Sequence, residues 1–106
     1  MTNDNWKVSF DRQFKIDVNN CRKKVDNLQV ELRGIVDYIL EYGEIPEEYN
    51  PHELIDSSLP YTGNMDFHLF NGKIDLLIIY TEINKCKVFR LMRLGTHNEL
   101  FHPKKQ

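Results

Sequence analysis

Hydrophobic and polar residues follow one period in the first half of the chain and another in the second half. Residues 11–24 and 27–42 carry apolar side chains at three- and four-residue spacing, which predicts two amphipathic helices. Residues 6–10 alternate apolar and polar, which predicts a short strand ahead of them. Asp26 or Asn27 is expected to cap the start of the second helix. Gly43 is expected to close it, because glycine adopts the left-handed conformation of a helix end.

The second half carries the alternation of strands. Residues 66–70 and 73–82 flank Asn71-Gly72, whose two residues both tolerate the positive φ angles of a two-residue hairpin turn. The continuous apolar run 76–79 predicts a central strand covered on both faces, and residues 87–94 predict the next strand. Helices followed by an antiparallel meander predict an α+β domain. In it, two N-terminal helices pack on one face of a small, mostly antiparallel sheet.

Length and composition limit the possible classes of protein. The chain has 106 residues, 41% of them hydrophobic, which predicts a single domain over residues 1–106. No apolar run approaches the roughly 18 residues of a membrane span, and the polar start 1–5 lacks the pattern of a signal peptide. We therefore expect a cytoplasmic protein without membrane contact. Cys21 and Cys86 form no CxxC motif and are expected to be small buried residues, and no cluster predicts a metal or cofactor.

The charge is distributed unevenly along the chain. Residues 26–56 hold nine acids and one base, a balance of −8. Residues 1–25 hold six bases and three acids, and residues 57–106 hold seven bases and four acids, so each flank carries +3. A basic face can therefore coexist with an acidic one, although the overall pI of about 6.1 is not that of a typical nucleic-acid-binding protein.

His97 is the first candidate for chemistry. It follows the predicted strand 87–94 after Gly95, so it is expected on a surface loop held by a rigid scaffold, where catalytic groups are often placed. An imidazole with an unperturbed pKa of roughly 6.5 can give or take a proton near neutral pH. The alternative is a solvated loop histidine without a function.

Four segments of the second half, in this order and rough spacing, resemble the YafQ family of RelE-like bacterial toxins. They are Pro51-His52-Glu53-Leu54, Tyr61-Thr62-Gly63-Asn64-Met65-Asp66-Phe67-His68, Asp75-Leu76-Leu77-Ile78-Ile79-Tyr80 and Arg93-Leu94-Gly95-Thr96-His97-Asn98-Glu99-Leu100-Phe101. The tail is the most specific of the four. Asn64, Met65 and Leu76 depart from the residues that are common in the family, as does the low pI.

The resemblance implies a toxin of a type II toxin–antitoxin system. Such a toxin is a ribosome-dependent endoribonuclease (an mRNA interferase) that cleaves messenger RNA and is inhibited by a cognate antitoxin. Operator DNA would be contacted only indirectly, through the antitoxin complex. Cleavage would need no metal or cofactor. The 2′-hydroxyl attacks the scissile phosphate, a base takes its proton, an acid protonates the leaving oxygen, and positive charge stabilises the transition state.

The resemblance also assigns roles to single residues. His97 is the general acid, Asp75, with His52, is the candidate base, and His68 positions groups or shares the proton transfer. Arg93 would hold the phosphate, because its guanidinium fork suits phosphate oxygens. Phe101 would stack on or wall a substrate base.

The charge distribution adds two candidates and a hypothesis of its own. Lys87 and Arg90 would join Arg93 in binding RNA, because the basic flanks are expected to gather around His97. The acidic stretch 26–56 would lie away from the RNA, since separated faces can bind a polyanion despite a net charge of −2.

Each role has a simpler alternative. Asp75 could be a turn acid, Arg93 a surface arginine, Phe101 a core residue, and His68 and His52 a sheet residue and a loop cap. For the whole chain, the alternative is a non-catalytic domain on the same scaffold that only engages an antitoxin or DNA. The low pI favours that alternative. Retention of His52, His68, Asp75 and His97 together favours the nuclease.

Overall fold

A five-stranded sheet forms the framework of the protein, whose computed structural model describes residues 5–102. The strands are β1 (Lys7–Phe10), β2 (His52–Glu53), β3 (Met65–His68), β4 (Leu77–Ile83) and β5 (Val88–Gly95). The helices are α1 (Arg12–Cys21), α2 (Leu28–Tyr42) and α3 (His97–Phe101). α1 and α2 confirm the two predicted helices, and α3 was not predicted.

The sheet is mostly antiparallel, which confirms the predicted α+β class. The strand order is β1-β5-β4-β3-β2, and β1 runs parallel to β5 while the other neighbours are antiparallel. β4 is therefore the central strand, as its continuous apolar run predicts.

The two faces of the sheet are covered by different helices. On β4, Ile78 and Tyr80 belong to the main core, which includes Phe14 of α1 and Ile35 and Ile39 of α2. The intervening residues Leu77 and Ile79 point to the opposite face, where they pack with Leu100 and Phe101 of α3. The expectation that the helices lie on one face thus holds for α1 and α2, whereas α3 covers the second face. None of the helices in residues 5–102 is long and apolar enough to cross a membrane.

The connection between β3 and β4 differs from the predicted two-residue turn. Strand pairing ends at His68 and Leu77, so a loop of several residues joins the strands. Asn71 and Gly72 do adopt positive φ angles, but Phe70 before them does so as well. The Phe70 amide donates to Oε2 of Glu31 on α2 over 2.7 Å, which holds this loop away from a tight hairpin. As a result Asp75 lies in the loop and not in a strand.

Of the two caps predicted for α2, the C-terminal one is confirmed and the N-terminal one differs from the prediction. Gly43 has φ +69° and donates to the Ile39 carbonyl over 2.7 Å, as predicted for the helix end. A Cβ at this position would lie 2.5 Å from the ring of Trp6, so a larger residue is excluded by space as well. At the start, Asn27 occupies the cap position with its backbone left-handed at φ 63°, but its side chain makes no capping hydrogen bond.

The two thiols are free, and the expectation that both are buried is wrong. Cys21 on α1 is half-buried, where burial raises the pKa of its thiol. Cys86 lies exposed in the turn between β4 and β5.

Candidate active site

The strand register brings the candidate side chains onto the face of the sheet that α3 covers. His52, Asp66, Ile79 and Arg93 are cross-strand partners in one row over four strands, and His68 is paired with Leu77 in the next row. Because Leu77 and Ile79 pack against α3, the polar side chains of both rows lie on the same face. The face opposite α1 and α2 therefore carries the site.

A β-bulge decides where Arg93 points. Tyr80 is paired with Leu91 and Ile79 with Arg93, so Met92 is an extra residue without a partner on β4. Strict alternation from Leu91, which lies in the main core, would turn Arg93 into that core. The bulge shifts the alternation by one residue, and such re-aiming of a side chain is a common use of bulges.

The three histidines predicted for the site form a contiguous row of rings. The ring centroids of His52 and His68 are 6.2 Å apart, and the planes are inclined by 22°. The centroids of His68 and His97 are 5.5 Å apart at 38°. β2, β3 and α3 each supply one ring, so residues distant in the sequence converge at one place.

His97 begins α3, which corrects the expectation of a surface loop. Thr96 caps the helix: its hydroxyl accepts from the Glu99 amide over 3.1 Å, and the Glu99 carboxylate accepts from the Thr96 amide over 3.0 Å. This reciprocal capping box fixes the backbone on either side of His97. The signature Thr-x-x-Glu is present in the sequence and would have predicted the helix start.

Asp75 orients His97 through two contacts. Its Oδ1 lies 2.6 Å from His97 Nδ1 and accepts from the His97 amide over 3.2 Å. Burial tends to raise the pKa of the Asp75 carboxyl, but the hydrogen bonds and positive charge of His97 outweigh it, so the pKa is lowered overall. The carboxylate is therefore an acceptor, Nδ1 carries a proton, and Nε2 is left for other partners.

His52 is held by two oxygen atoms. Its Nδ1 lies 3.0 Å from the Asn50 carbonyl, and its Nε2 lies 3.0 Å from Oδ1 of Asp66. The Asp66 side chain is 3% exposed, whereas that of His52 is 45% exposed. Burial raises the pKa of the Asp66 carboxyl, and the charges of His52, His68 and His97 offset part of the increase.

Asp66 also belongs to the candidate site, although its type and spacing predict no role for it. It lies in the segment Asp66-Phe67-His68 that carries part of the family resemblance. The available signal was its position two residues before His68 in an alternating strand, which places both side chains on the same face.

Arg93 lies on the site face but is bound by other residues of the chain. Its Nε and Nη2 donate to the two carboxylate oxygens of Asp17 on α1 over 2.8 and 3.3 Å, and its Nη1 donates to the Tyr61 hydroxyl over 2.6 Å. The hydrogen bonds with Asp17 raise the pKa of the guanidinium further above its usual range. Neither Asp17 nor Tyr61 was singled out as a partner from the sequence.

Phe101 belongs to the core beneath α3 and borders the site. It is 8% exposed and packs with Leu77 and Ile79. Its ring centroid is 6.0 Å from that of His97. Phe101 also lines a recess of about 220 Å³ with His52, Leu54 and other residues of the loop after β2.

Lys87 and Arg90 lie toward the other end of β5. Since a strand rises roughly 3.3 Å per residue, β5 separates Lys87 from His97 by roughly 25 Å. The Lys87 ammonium is 5.8 Å from the centroid of the Trp6 ring, and Arg90 forms a bidentate ion pair with Asp11 at 2.8 Å. The predicted basic cluster around His97 therefore lacks these two side chains in the free protein. Their role in RNA binding stays a prediction.

A larger groove of about 890 Å³ runs beside the site, between the end of α1, the β3–β4 loop and the start of α3. Asp75, Arg93 and Thr96 line its near side, and Val25, Ile74 and Leu76 contribute apolar surface. Among residues 5–102, no three His, Cys, Asp or Glu side chains are grouped as a metal site requires.

Comparison with known proteins identifies relatives of this chain. Residues 6–102 match the model of the family described as bacterial toxin of type II toxin-antitoxin system, YafQ. No curated protein sequence matches.

Solved structures show the same fold. The E. coli DinJ-YafQ complex contains a chain with 26% identity and a TM-score of 0.61, over 90% of this chain and 97% of that chain. YafQ from E. coli strain BL21(DE3) has 22% identity and a TM-score of 0.67 over the same shares. A metal-bound toxin from Helicobacter pylori has 22% identity and a TM-score of 0.66, over 91% and 99%. Because the family model matches nearly the whole chain, the protein belongs to the YafQ family of bacterial toxins of type II toxin–antitoxin systems.

Proposed function

We propose that the protein is a ribosome-dependent endoribonuclease that cleaves messenger RNA by metal-free acid–base catalysis. The observation that carries the proposal is the convergence of His52, His68 and His97, with Asp75 fixing one ring nitrogen of His97. Imidazole groups are suited to proton transfer at neutral pH, and the 2′-hydroxyl of RNA supplies the nucleophile.

His97 is the general acid of this reaction. Its Nδ1 proton is held by Asp75, so Nε2 is the nitrogen that would protonate the leaving 5′-oxygen. Hydrogen bonding at one nitrogen fixes the tautomer and the ring orientation, which leaves the second nitrogen with a defined direction. This geometry makes Asp75 an orienting group first, because its lowered pKa makes it a weak base.

His68 is the better placed base. It lies between His52 and His97, and its ring nitrogens have no hydrogen-bond partner among the described residues, whereas both nitrogens of His52 contact oxygen atoms. A base must reach the 2′-hydroxyl within hydrogen-bond distance, so an unoccupied nitrogen next to the acid suits the role.

Arg93 contributes positive charge on the same face. A guanidinium has five N–H donors, and three are used on Asp17 and Tyr61. Five minus three leaves two N–H groups that can bind a phosphate oxygen without breaking the existing contacts. Phe101 would wall a substrate base at the recess that it lines beside His52.

A cognate antitoxin is the proposed protein partner, as DinJ is for its E. coli relative. Operator DNA would be contacted only through the complex with the antitoxin. The charge distribution supports a polyanion-binding face in part: α2, which carries much of the acidic stretch 26–56, packs on the face opposite the histidines. Glu53 and Asp56 are the exception, since both border the recess beside His52.

A non-catalytic antitoxin-binding domain is the second candidate. Its specific support is that Arg90 and Arg93 are both paired with carboxylates of the same chain, which reduces the positive charge available to RNA. An exposed ion pair is weak, so the Arg90 pair can open for a phosphate at little cost.

A reconstituted cleavage assay separates the two candidates. Purified protein is added to ribosomes carrying a defined message, and cleavage sites are mapped by primer extension, with the same message free in solution as the control. We expect cleavage of the ribosome-bound message only. Intact message on ribosomes at stoichiometric protein, with tight antitoxin binding retained, would support the non-catalytic candidate.

A further inference from the structure

We propose that Asp66 is a positioning residue whose buried carboxylate supplies the counter-charge that keeps His52 doubly protonated. His52 then supplies fixed positive charge to the site and transfers no proton to the substrate. The charge part of this inference rests on the proposed nuclease function, whereas the protonation part stands independently of it.

The two partners of the His52 ring are both hydrogen-bond acceptors. A backbone carbonyl such as that of Asn50 can only accept, so Nδ1 at 3.0 Å must carry a proton. Nε2 lies 3.0 Å from Oδ1 of Asp66 in an ion-pair contact that lacks the alignment of a hydrogen bond. A neutral imidazole protonated at Nδ1 would set the lone pair of Nε2 against a carboxylate oxygen. The imidazolium keeps the hydrogen bond to Asn50 and pairs its positive charge with Asp66.

The burial of Asp66 makes this counter-charge necessary. Its side chain is 3% exposed, and Oδ1 has no aligned hydrogen-bond donor among the described residues. An isolated buried carboxylate is costly, and such groups are normally paired with a positive charge or neutralised. The His52 ring is the nearest cationic partner, and its contact with Oδ1 is that of an ion pair whose hydrogen bond is not well aligned.

The surroundings of Asp66 offer no competing ion pair in the described residues. His52 on β2, His68 on β3 and His97 at the start of α3 are the groups whose charge acts on it. His97 is engaged with Asp75, and Arg93 in the same cross-strand row is engaged with Asp17. On β4, burial raises the pKa of the Tyr80 phenol, and the charges of Glu82 and Asp66 add to the shift.

The competing arrangement places the proton on Asp66, which would donate it to a neutral His52. Burial raises the pKa of Asp66 and therefore favours this arrangement to some degree. The arrangements differ in one observable property: His52 has two protonated nitrogens in the proposed arrangement and one in the competing arrangement. The 45% exposure of the His52 side chain favours the proposed arrangement, because water stabilises the charged ring.

Nitrogen NMR of histidine-labelled full-length protein at pH 7 tests the protonation state. The His52 signals are assigned by comparison with His52→Gln. We expect both His52 nitrogens to be protonated in the wild type and Nδ1 alone in Asp66→Asn, whose amide can donate to Nε2. Asp75→Asn is the matched control, in which His52 should remain doubly protonated. An unprotonated His52 nitrogen in the wild type would overturn the proposal, whether or not Asp66→Asn folds.

A charge-rescue experiment tests the role in catalysis. In the ribosome assay, His52→Gln should lower the cleavage rate by about a hundredfold, comparable to the loss of one transition-state-stabilising donor. His52→Arg should recover a large part of that loss, because it retains the positive charge but cannot act as a base at neutral pH. Equal losses in both variants would refute the electrostatic role. Absence of cleavage in the wild type would refute the proposed function, while the NMR result would still decide the protonation of His52.

Discussion

The site contains two carboxylate–histidine pairs that differ in where the carboxylate lies. Asp75 and His97 are both about half exposed, with side chains at 54% and 53%. Asp66 is almost fully buried at 3%, and only its partner His52 reaches solvent. The pKa shifts of the two carboxyl groups have opposite signs, because burial dominates at Asp66 and hydrogen bonding to His97 prevails at Asp75.

This difference suits the two carboxylate–histidine pairs to different purposes in the proposed reaction. In the exposed pair, one histidine nitrogen is fixed by the carboxylate and the other remains for a substrate. In the buried pair, both histidine nitrogens contact oxygen atoms of the protein. The first arrangement suits proton transfer, and the second suits a fixed charge.

The largest expected effect is that of His97→Ala. Loss of a general acid lowers a rate by about 10²- to 10⁴-fold, so cleavage of ribosome-bound message should fall by this factor and growth arrest on expression should be relieved. The thermal unfolding midpoint should stay close to that of the wild type, since the His97 side chain is 53% exposed. His102→Ala is the control, because this exposed histidine lies outside the row of rings. A toxic His97→Ala variant would show that another group is the acid.

Asp75→Asn is expected to have the next largest effect. The amide cannot hold the Nδ1 proton of His97 as the carboxylate does, and misplacement of a catalytic group can cost about a hundredfold in rate. The rate should therefore fall, while ribosome binding is retained. Asp37→Asn, on the exposed surface of α2, should cleave at the wild-type rate. If Asp75→Asn also did so, the exposed pair would have no orienting role.

Replacement of Arg93 should reduce both stability and cleavage. Arg93→Ala removes the partner of Asp17, whose side chain is 9% exposed. Hydrogen bonds to charged groups contribute about 1.5–3 kcal/mol, so the free energy of unfolding measured in urea should fall by about that amount. Arg90→Ala breaks an exposed pair with Asp11 and should change it little. Similar small losses for both variants would contradict the structural role of the Arg93 contact.

The smallest expected effect concerns the pH dependence of the free energy of unfolding, to which Asp66 and Asp75 should contribute with opposite signs. The folded state raises the pKa of Asp66 and so binds its proton more tightly than the unfolded state. The contribution of Asp66 to the free energy of unfolding is therefore present below the ordinary pKa of about 3.9, and it is lost as the pH rises through the raised pKa. Asp75 has the opposite sign: its contribution is present above the ordinary pKa and is lost as the pH falls.

Urea unfolding at a series of pH values checks these signs. In the wild type, ionisation of Asp66 should lower the free energy of unfolding as the pH rises above the ordinary aspartate pKa, and Asp66→Asn should abolish this decrease. Ionisation of Asp75 should raise the free energy of unfolding as the pH rises through the ordinary range, and Asp75→Asn should abolish this increase. Parallel curves for the two variants would contradict the distinction between the pairs.

Much of the fold could be predicted from the sequence because its elements depend on local patterns. The run 76–79 identifies the central strand β4, and the spacing of apolar residues identifies α1 and α2. The loop between β3 and β4 could not be predicted from Asn71-Gly72, because a contact from Glu31 on α2 holds Phe70. α3 is a different case, since Thr96 and Glu99 carry its capping signature in the sequence.

The site residues matched by resemblance converge, but their partners depend on tertiary structure. The contacts of Asp66 with His52 and of Arg93 with Asp17 join residues on different elements. The bulge at Met92 reverses the side of the sheet to which Arg93 points, and no local pattern in the sequence marks it. Lys87 lies at the far end of β5 because of the length of that strand. The net charge of a segment gives no information on such distances.

The chemical nature of the cleaved ends is the most direct test of acid–base catalysis by this site. Message is cleaved on ribosomes with the wild-type protein, and the fragments are analysed for their terminal groups. Attack by the 2′-hydroxyl predicts 2′,3′-cyclic phosphate or 3′-phosphate on the upstream fragment and a 5′-hydroxyl on the downstream fragment. Fragments that end in a 3′-hydroxyl and a 5′-phosphate would contradict this mechanism, because they require water and not the ribose to attack the phosphate.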